Sequence, residues 1–360
     1  MSNPSNDIPN ARTGGRWGLI LQVLGFGIGI VLLGWAVRLA MQEENRAQLA
    51  KLADATPGEL LVLLSLAAVS VGLNGIIFWV VINPVHRIRC TDVIATNAIA
   101  TFLAYLPFKL SVVCRFVLHN RRDRVPVLTI GAWLVAMALL MLAVFGPLIL
   151  VSIMIHEVNP VWWGSTVVLV LVCTLLGSVL SRLLAGERGT RRISRLPLLG
   201  RLTTRDSFAR LHTGIEMLAS PKTALLANGL RILDILTFAL TFYVAAMVLD
   251  MPLTMSDSVL LGGTYFIIGA AAPSGMLGAR EAGTIGFAQL IGISGTALTQ
   301  TSAGDVPIAA TVLFVTAVEG VVNLGCAGFG IAWLRARPGL APAADDEPIE
   351  STISTEPDNE

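Results

Sequence analysis

AAAPSGMLGAREAG, residues 270–283, decides how the rest of the chain is read. It sets Pro273, three glycines and the adjacent pair Arg280-Glu281 inside an otherwise apolar region. In a bilayer, Pro273 and Gly275 interrupt a helix at depth, and the freed backbone groups find partners only beside packed protein or a cavity. Each charge costs roughly 2.5–3.5 kcal/mol at a helix centre, so Arg280 and Glu281 are expected in a protein- or water-lined site.

The composition supports a bilayer setting. Of 360 residues, 54% are hydrophobic and 14% charged, too apolar for a soluble domain. The fold class expected is all-α: a polytopic helical membrane bundle with an inverted repeat and two re-entrant broken-helix hairpins. A net charge of +1 argues against nucleic acid as a partner. Cys90, Cys114, Cys173 and Cys326 are far apart and form no C-x-x-C pair. His86 with Cys90, and Cys114 with His119, lie among basic residues that would repel a cation, so no metal and no cofactor is expected.

Working outward from that stretch, the chain alternates apolar runs with segregated charge. Residues 1–16 read as a disordered lead, and 17–38 as a first span carrying Gly25-x-x-x-Gly29. That element suits a homo-oligomer face or close packing within the chain. Further spans are expected at about 60–82, 125–155, 161–183, 223–249 and 307–334. Nine basic residues between Arg182 and Lys222 mark a cytoplasmic loop, whereas Asp250 and Asp257 mark the outside. Both termini are thereby expected in the cytoplasm, the second as an acidic disordered tail over 338–360.

Two apolar pieces are too short to cross. Thr91 to Leu106 gives roughly 24 Å of helix against a core of roughly 30 Å, and it stops at Pro107. With Leu110 to Leu118 it forms a unit flanked by Arg87, Arg89, Arg121, Arg122 and Arg124, hence a hairpin over about 91–118 opening to the cytoplasm. The second unit, about 259–293, breaks at Pro273 and has no positive charge near its exit at Asp305, hence a hairpin opening outward. Span, hairpin, span recurs in reversed orientation, and Arg115 and Arg280 follow the two prolines within eight residues. Inverted repeats with paired broken helices place a site near the midplane and support alternating access.

The candidate site residues follow. Half-helices after Pro107 and Pro273 direct N–H groups inward, where Lys109, Arg115 and Arg280 add charge; an anion is the natural guest. Glu281 holds Arg280 or binds a cationic moiety or proton. Arg231 and Asp234, spaced i,i+3, share a helix face and can pair there or line the substrate path. Pro107, Pro273, Gly275 and Gly278 shape the breaks. No catalytic residue set is legible.

The stretch Pro273 to Glu281, PSGMLGARE, resembles the P-x-G-G-[LIV]-G-x-R-E element of the lysylphosphatidylglycerol synthase transmembrane-domain family, a flippase-like module also found as stand-alone proteins. PFKLSVVCR, Pro107 to Arg115, is similar to the family's P-G-R-x-G-[DE]-x-x-R element, with Phe108, Lys109, Ser111 and Val112 departing from it. The Glu-Arg pair often found early in the next helix is replaced by Ala132 and Trp133. An acidic tail follows Arg337, so no aminoacyltransferase domain is expected. The resemblance implies a multi-pass protein of a bacterial-type inner (cytoplasmic) membrane that translocates an anionic phospholipid or polyprenyl-phosphate-linked glycolipid between leaflets. The alternative reading is a membrane enzyme or enzyme subunit of lipid or lipid-linked sugar modification, for which Glu319, Asp234 and Glu281 are the intramembrane carboxylates available.

Overall fold

The computed structural model describes residues 15–41, 51, 54–106, 109–155, 158–184, 217–251, 253–271, 276–290 and 307–337. The expectations for the lead 1–14, the basic loop 185–216, the exit near Asp305, the tail 338–360, and Pro107, Pro273 and Gly275 lie outside the described residues. Ten helices run through the described residues: α1 (Gly15–Ala40), α2 (Pro57–Ile82), α3 (Cys90–Leu103), α4 (Leu110–Arg121), α5 (Val127–Met154), α6 (Pro160–Leu184), α7 (Pro221–Val248), α8 (Met255–Ala271), α9 (Ala279–Leu290) and α10 (Pro307–Ala336).

Local chemistry sets several of these boundaries. Thr56 and Glu59 close a reciprocal capping box: the Thr56 hydroxyl accepts from the Glu59 N–H, and the Glu59 carboxylate accepts from the Thr56 N–H. Thr254 and Asp257 do the same for α8, which explains an acidic residue at that position. Prolines sit at the first helical position of α2 and α7, where a missing N–H costs nothing.

Among the described residues five helices, α2, α5, α6, α7 and α10, are long and apolar enough to cross a membrane. By contrast α3 has 14 residues, α4 12, α8 17 and α9 12, so none exceeds about 26 Å, short of a hydrocarbon core of about 30 Å. The long helices expose their large apolar side chains outward, Val168, Leu176 and Leu180 on α6 among them, as a lipid-facing surface requires.

The centre is the α2/α7 pair, which makes the most extensive helix contact, followed by α3/α10. Around it the two halves repeat their neighbours. α3 packs on α2 as α8 packs on α7, α4 on α3 as α9 on α8, and α5 on α7 as α10 on α2. Glycine makes the short-helix contacts close. A Cβ on Gly75 would lie 2.8 Å from Ile94 Cα of α3, and one on Gly262 of α8 would lie 2.9 Å from the Ala239 nitrogen of α7. Side-chain amides tie further helices together: Asn97 of α3 donates to the Val71 carbonyl of α2, and Asn228 of α7 donates to the Thr174 hydroxyl of α6.

The Gly25-x-x-x-Gly29 expectation resolves in part. A Cβ on Gly29 would lie 2.8 Å from the Leu277 carbonyl oxygen, so Gly29 serves close packing of α1 on the start of α9 within the chain. Gly278 returns the contact at φ +81°, and a Cβ there would collide with the Gly29 carbonyl.

Candidate functional site

The two short-helix hairpins meet at their turns. The Met276 N–H donates to the Ala104 carbonyl at 3.0 Å, a backbone bond joining the turn before α9 to the end of α3. Behind this junction, between the hairpins and the long helices α2, α5, α7 and α10, lies a cavity of about 300 Å³. Arg115 and Arg280 both line it, as do Asp234 and Glu319.

Arg280 is 5% exposed and held from several sides. Its Nη1 lies 2.8 Å from Glu319 Oε2 of α10, and its Nη2 donates to the Tyr105 hydroxyl at 3.2 Å. The guanidinium stands 3.9 Å over the Tyr265 ring, a cation–π contact. Tyr105 and Tyr265 both donate to the same Glu319 oxygen, at 3.3 and 3.2 Å. Asn323, one turn beyond Glu319, donates to the Tyr105 hydroxyl at 3.0 Å.

Glu281 has a different job from its neighbour. Its Oε2 accepts the Gly278 N–H and its Oε1 accepts the Thr316 hydroxyl, so the carboxylate caps α9 and ties it to α10. Arg280 Nε is 3.5 Å from Glu281 Oε1, a looser approach than that of Glu319, and Nε has no hydrogen-bond partner. Glu281 is third in α9, and a carboxylate there reaches back to the preceding N–H.

Arg115 is held by neutral groups. Both terminal nitrogens donate to Asn97 Oδ1, at 3.1 and 2.9 Å, and the guanidinium lies 4.2 Å over the Phe78 ring. Among the described residues no carboxylate pairs with it. The reason lies on α5, which lines the cavity with Met137 and Met141 where α10 presents Glu319 and Asn323 at the same four-residue spacing. Ala132 and Trp133 are buried in the core, and Trp133 packs edge-on to Phe78.

Arg231 and Asp234 pair on α7 at 2.7 Å. Arg231 also donates to Asn74 Oδ1 at 3.0 Å, while Ser70 donates to Asp234 Oδ1 at 2.6 Å, so the pair bolts α7 to α2. Asp234 borders the cavity; Arg231 stands behind it. Lys109 takes no part in the lining: it is exposed at the turn before α4, in the left-handed region at φ 49°.

The arrangement therefore brings together Arg115, Arg280 and Asp234 and adds Tyr105, Tyr265, Glu319, Asn97 and Asn323. Formal charges balance across three arginines and three carboxylates, yet unevenly. Arg280 has two carboxylates and Arg231 has one, which leaves Arg115 without a counter-charge among the described residues. Such a site can take one anionic group at Arg115 without stripping a partner away.

These features define a polytopic helical membrane protein with a largely apolar cavity into which ion-paired side chains project. The chain belongs to the lysylphosphatidylglycerol synthase TM region family, whose sequence model matches residues 22–318. No curated protein and no solved structure matches it.

Proposed function

We propose that the protein translocates an anionic lipid, a phospholipid or polyprenyl-phosphate-linked glycolipid, between leaflets through the cavity shared by the two hairpins. In this reading the hairpins re-enter from opposite faces of an inner (cytoplasmic) membrane, α1 supplies a sixth crossing, and both termini lie in the cytoplasm. One observation carries the reading: Arg115 and Arg280, from separate short hairpins, line a single cavity inside the bundle.

Arg115 takes the phosphate, because its charge is uncompensated and a guanidinium can bind two phosphate oxygens at once. Arg280 exchanges between Glu319 and the passing headgroup, which lets the lipid leave again. Glu281 keeps α9 capped so that Arg280 stays aimed inward. The small cavity accommodates the headgroup alone, the acyl chains remaining in the bilayer.

The test is leaflet exchange in vesicles reconstituted with the purified protein, using a headgroup-intact fluorescent phosphatidylglycerol. Arg115→Gln and Arg280→Ala are each expected to slow exchange at least tenfold, with folding checked by circular dichroism. Exchange at the wild-type rate in both variants would overturn the proposal. Loss of a lipid species from a deletion strain, rather than its redistribution between leaflets, would favour the enzyme reading.

A further inference from the structure

A second concavity, of about 470 Å³, lies between α2, α3 and α10, away from the central cavity. Its walls are apolar, formed by Gly72, Ala98, Gly325, Phe329 and Trp333, with Val71 bordering both this groove and the central cavity. The glycines explain why it stays open. On either side the helices touch closely, since a Cβ on Gly75 or Gly330 would meet Ile94 Cα at 2.8 Å or the Ala95 carbonyl at 2.7 Å. Between those contacts a Cβ on Gly72 or Gly325 would meet nothing within 4 Å. Water in such a furrow finds no polar partners, whereas hydrocarbon gains contact along its length.

A polar cluster stands at one end, where α3 begins and α10 finishes. Trp333 Nε1 donates to Asp92 Oδ1 at 3.1 Å, Arg122 Nη2 lies 3.4 Å from Asp92 Oδ2, and the Arg337 guanidinium is stacked 4.0 Å over the Trp333 ring. Arg122 Nη2 also donates to the Arg337 carbonyl at 3.2 Å, so the cluster holds two arginines and one carboxylate. Arg122 is the informative member: its Nε and Nη1 are buried with no hydrogen-bond partner. A buried guanidinium with spare donors calls for an acceptor with two oxygens, and basic pockets between membrane helices bind lipid phosphate.

We infer that the α2/α3/α10 groove binds a phospholipid, with one acyl chain lying against Gly72, Gly325 and Phe329 and its phosphodiester at Arg122 and Arg337. The net charge of the cluster selects an anionic headgroup. The site does not depend on the translocation reading: it would hold lipid whether or not the central cavity moves any.

Titration of the detergent-purified full chain with dioleoyl phosphatidylglycerol, followed by native mass spectrometry, reads the site directly. The wild type is expected to retain one lipid at low micromolar concentration. Gly72→Leu with Gly325→Leu, whose Cβ atoms would meet nothing within 4 Å, and Arg122→Gln should each weaken retention at least tenfold. Gly177→Leu, an equally open glycine on α6, should leave it unchanged. A second readout needs no groove-filling change: with the other three cysteines replaced by Ala, alkylation of Cys326 inside the groove should slow at least fivefold when phosphatidylglycerol is added. Unchanged lipid retention in both variants, or Cys326 alkylation indifferent to lipid, would overturn the assignment. Conversion of a dimer to a monomer by the groove-filling change would also overturn it, by giving the groove to a second copy of the chain.

Discussion

Replacing Glu319 by Gln removes one charge from the cavity while keeping an acceptor for Tyr105 and Tyr265. At 2.8 Å from Arg280 Nη1, a unit charge contributes about 6 kcal/mol at an effective dielectric constant of about 20, before desolvation is counted. Loss of one partner from buried pairs costs about 3–5 kcal/mol, because the other charge stays buried. Here Glu281, 3.5 Å from Arg280 Nε, and the Tyr265 ring retain part of that, so we expect Glu319→Gln to cost about 2–4 kcal/mol. Equilibrium unfolding in mixed detergent and SDS micelles measures it. A double-mutant cycle with Arg280→Gln should return a coupling of about 2 kcal/mol, the pair being partly self-compensating. The freed Arg280 should also make phosphatidylglycerol, but not phosphatidylcholine, a stronger stabiliser of the variant than of the wild type. A variant within about 0.5 kcal/mol of wild type, with no coupling to Arg280, would refute the claim that Glu319 holds this guanidinium.

Other expectations follow from the same contacts. Gly278→Ala combines φ +81° with a collision against the Gly29 carbonyl, so it should cost at least 1–3 kcal/mol, roughly the range of backbone strain alone, in the same unfolding assay. Asp234→Leu leaves Arg231 buried with only the neutral Asn74 amide and the Phe266 ring beside it and should destabilise by about 3 kcal/mol, whereas Arg231→Met with Asp234→Leu should recover much of that loss.

The all-helical membrane class is legible because hydrophobic run length and charge punctuation answer directly to bilayer thickness. The Arg231–Asp234 pair was legible because it is local, three residues apart on one helix face. Glu319 was noticed as an intramembrane acid but not joined to Arg280, since the partnership crosses 39 residues of sequence and forms only when α9 packs on α10. Tyr105 and Tyr265 gave no signal: a tyrosine in an apolar run reads as core until its hydroxyl is seen on a carboxylate. Asn97 could have been found, because an amide inside a short apolar helix demands a partner. Lys109 was placed with the site for its charge, but the left-handed turn before α4 presents it outward. Glu281 was read for its adjacency to Arg280, whereas its position as third residue of α9 already favoured capping.

The central claim is that the two hairpins dip from opposite faces and meet. Single cysteines at Arg87 and Arg124, flanking the first hairpin, and at Thr254 and Thr301, flanking the second, can be labelled with a membrane-impermeant maleimide in oriented vesicles of the otherwise cysteine-free protein. Arg87→Cys and Arg124→Cys are expected to react from one side only, and Thr254→Cys and Thr301→Cys from the other side only. Labelling of the two flanks of either hairpin from opposite sides would contradict it, because that hairpin would then cross the membrane.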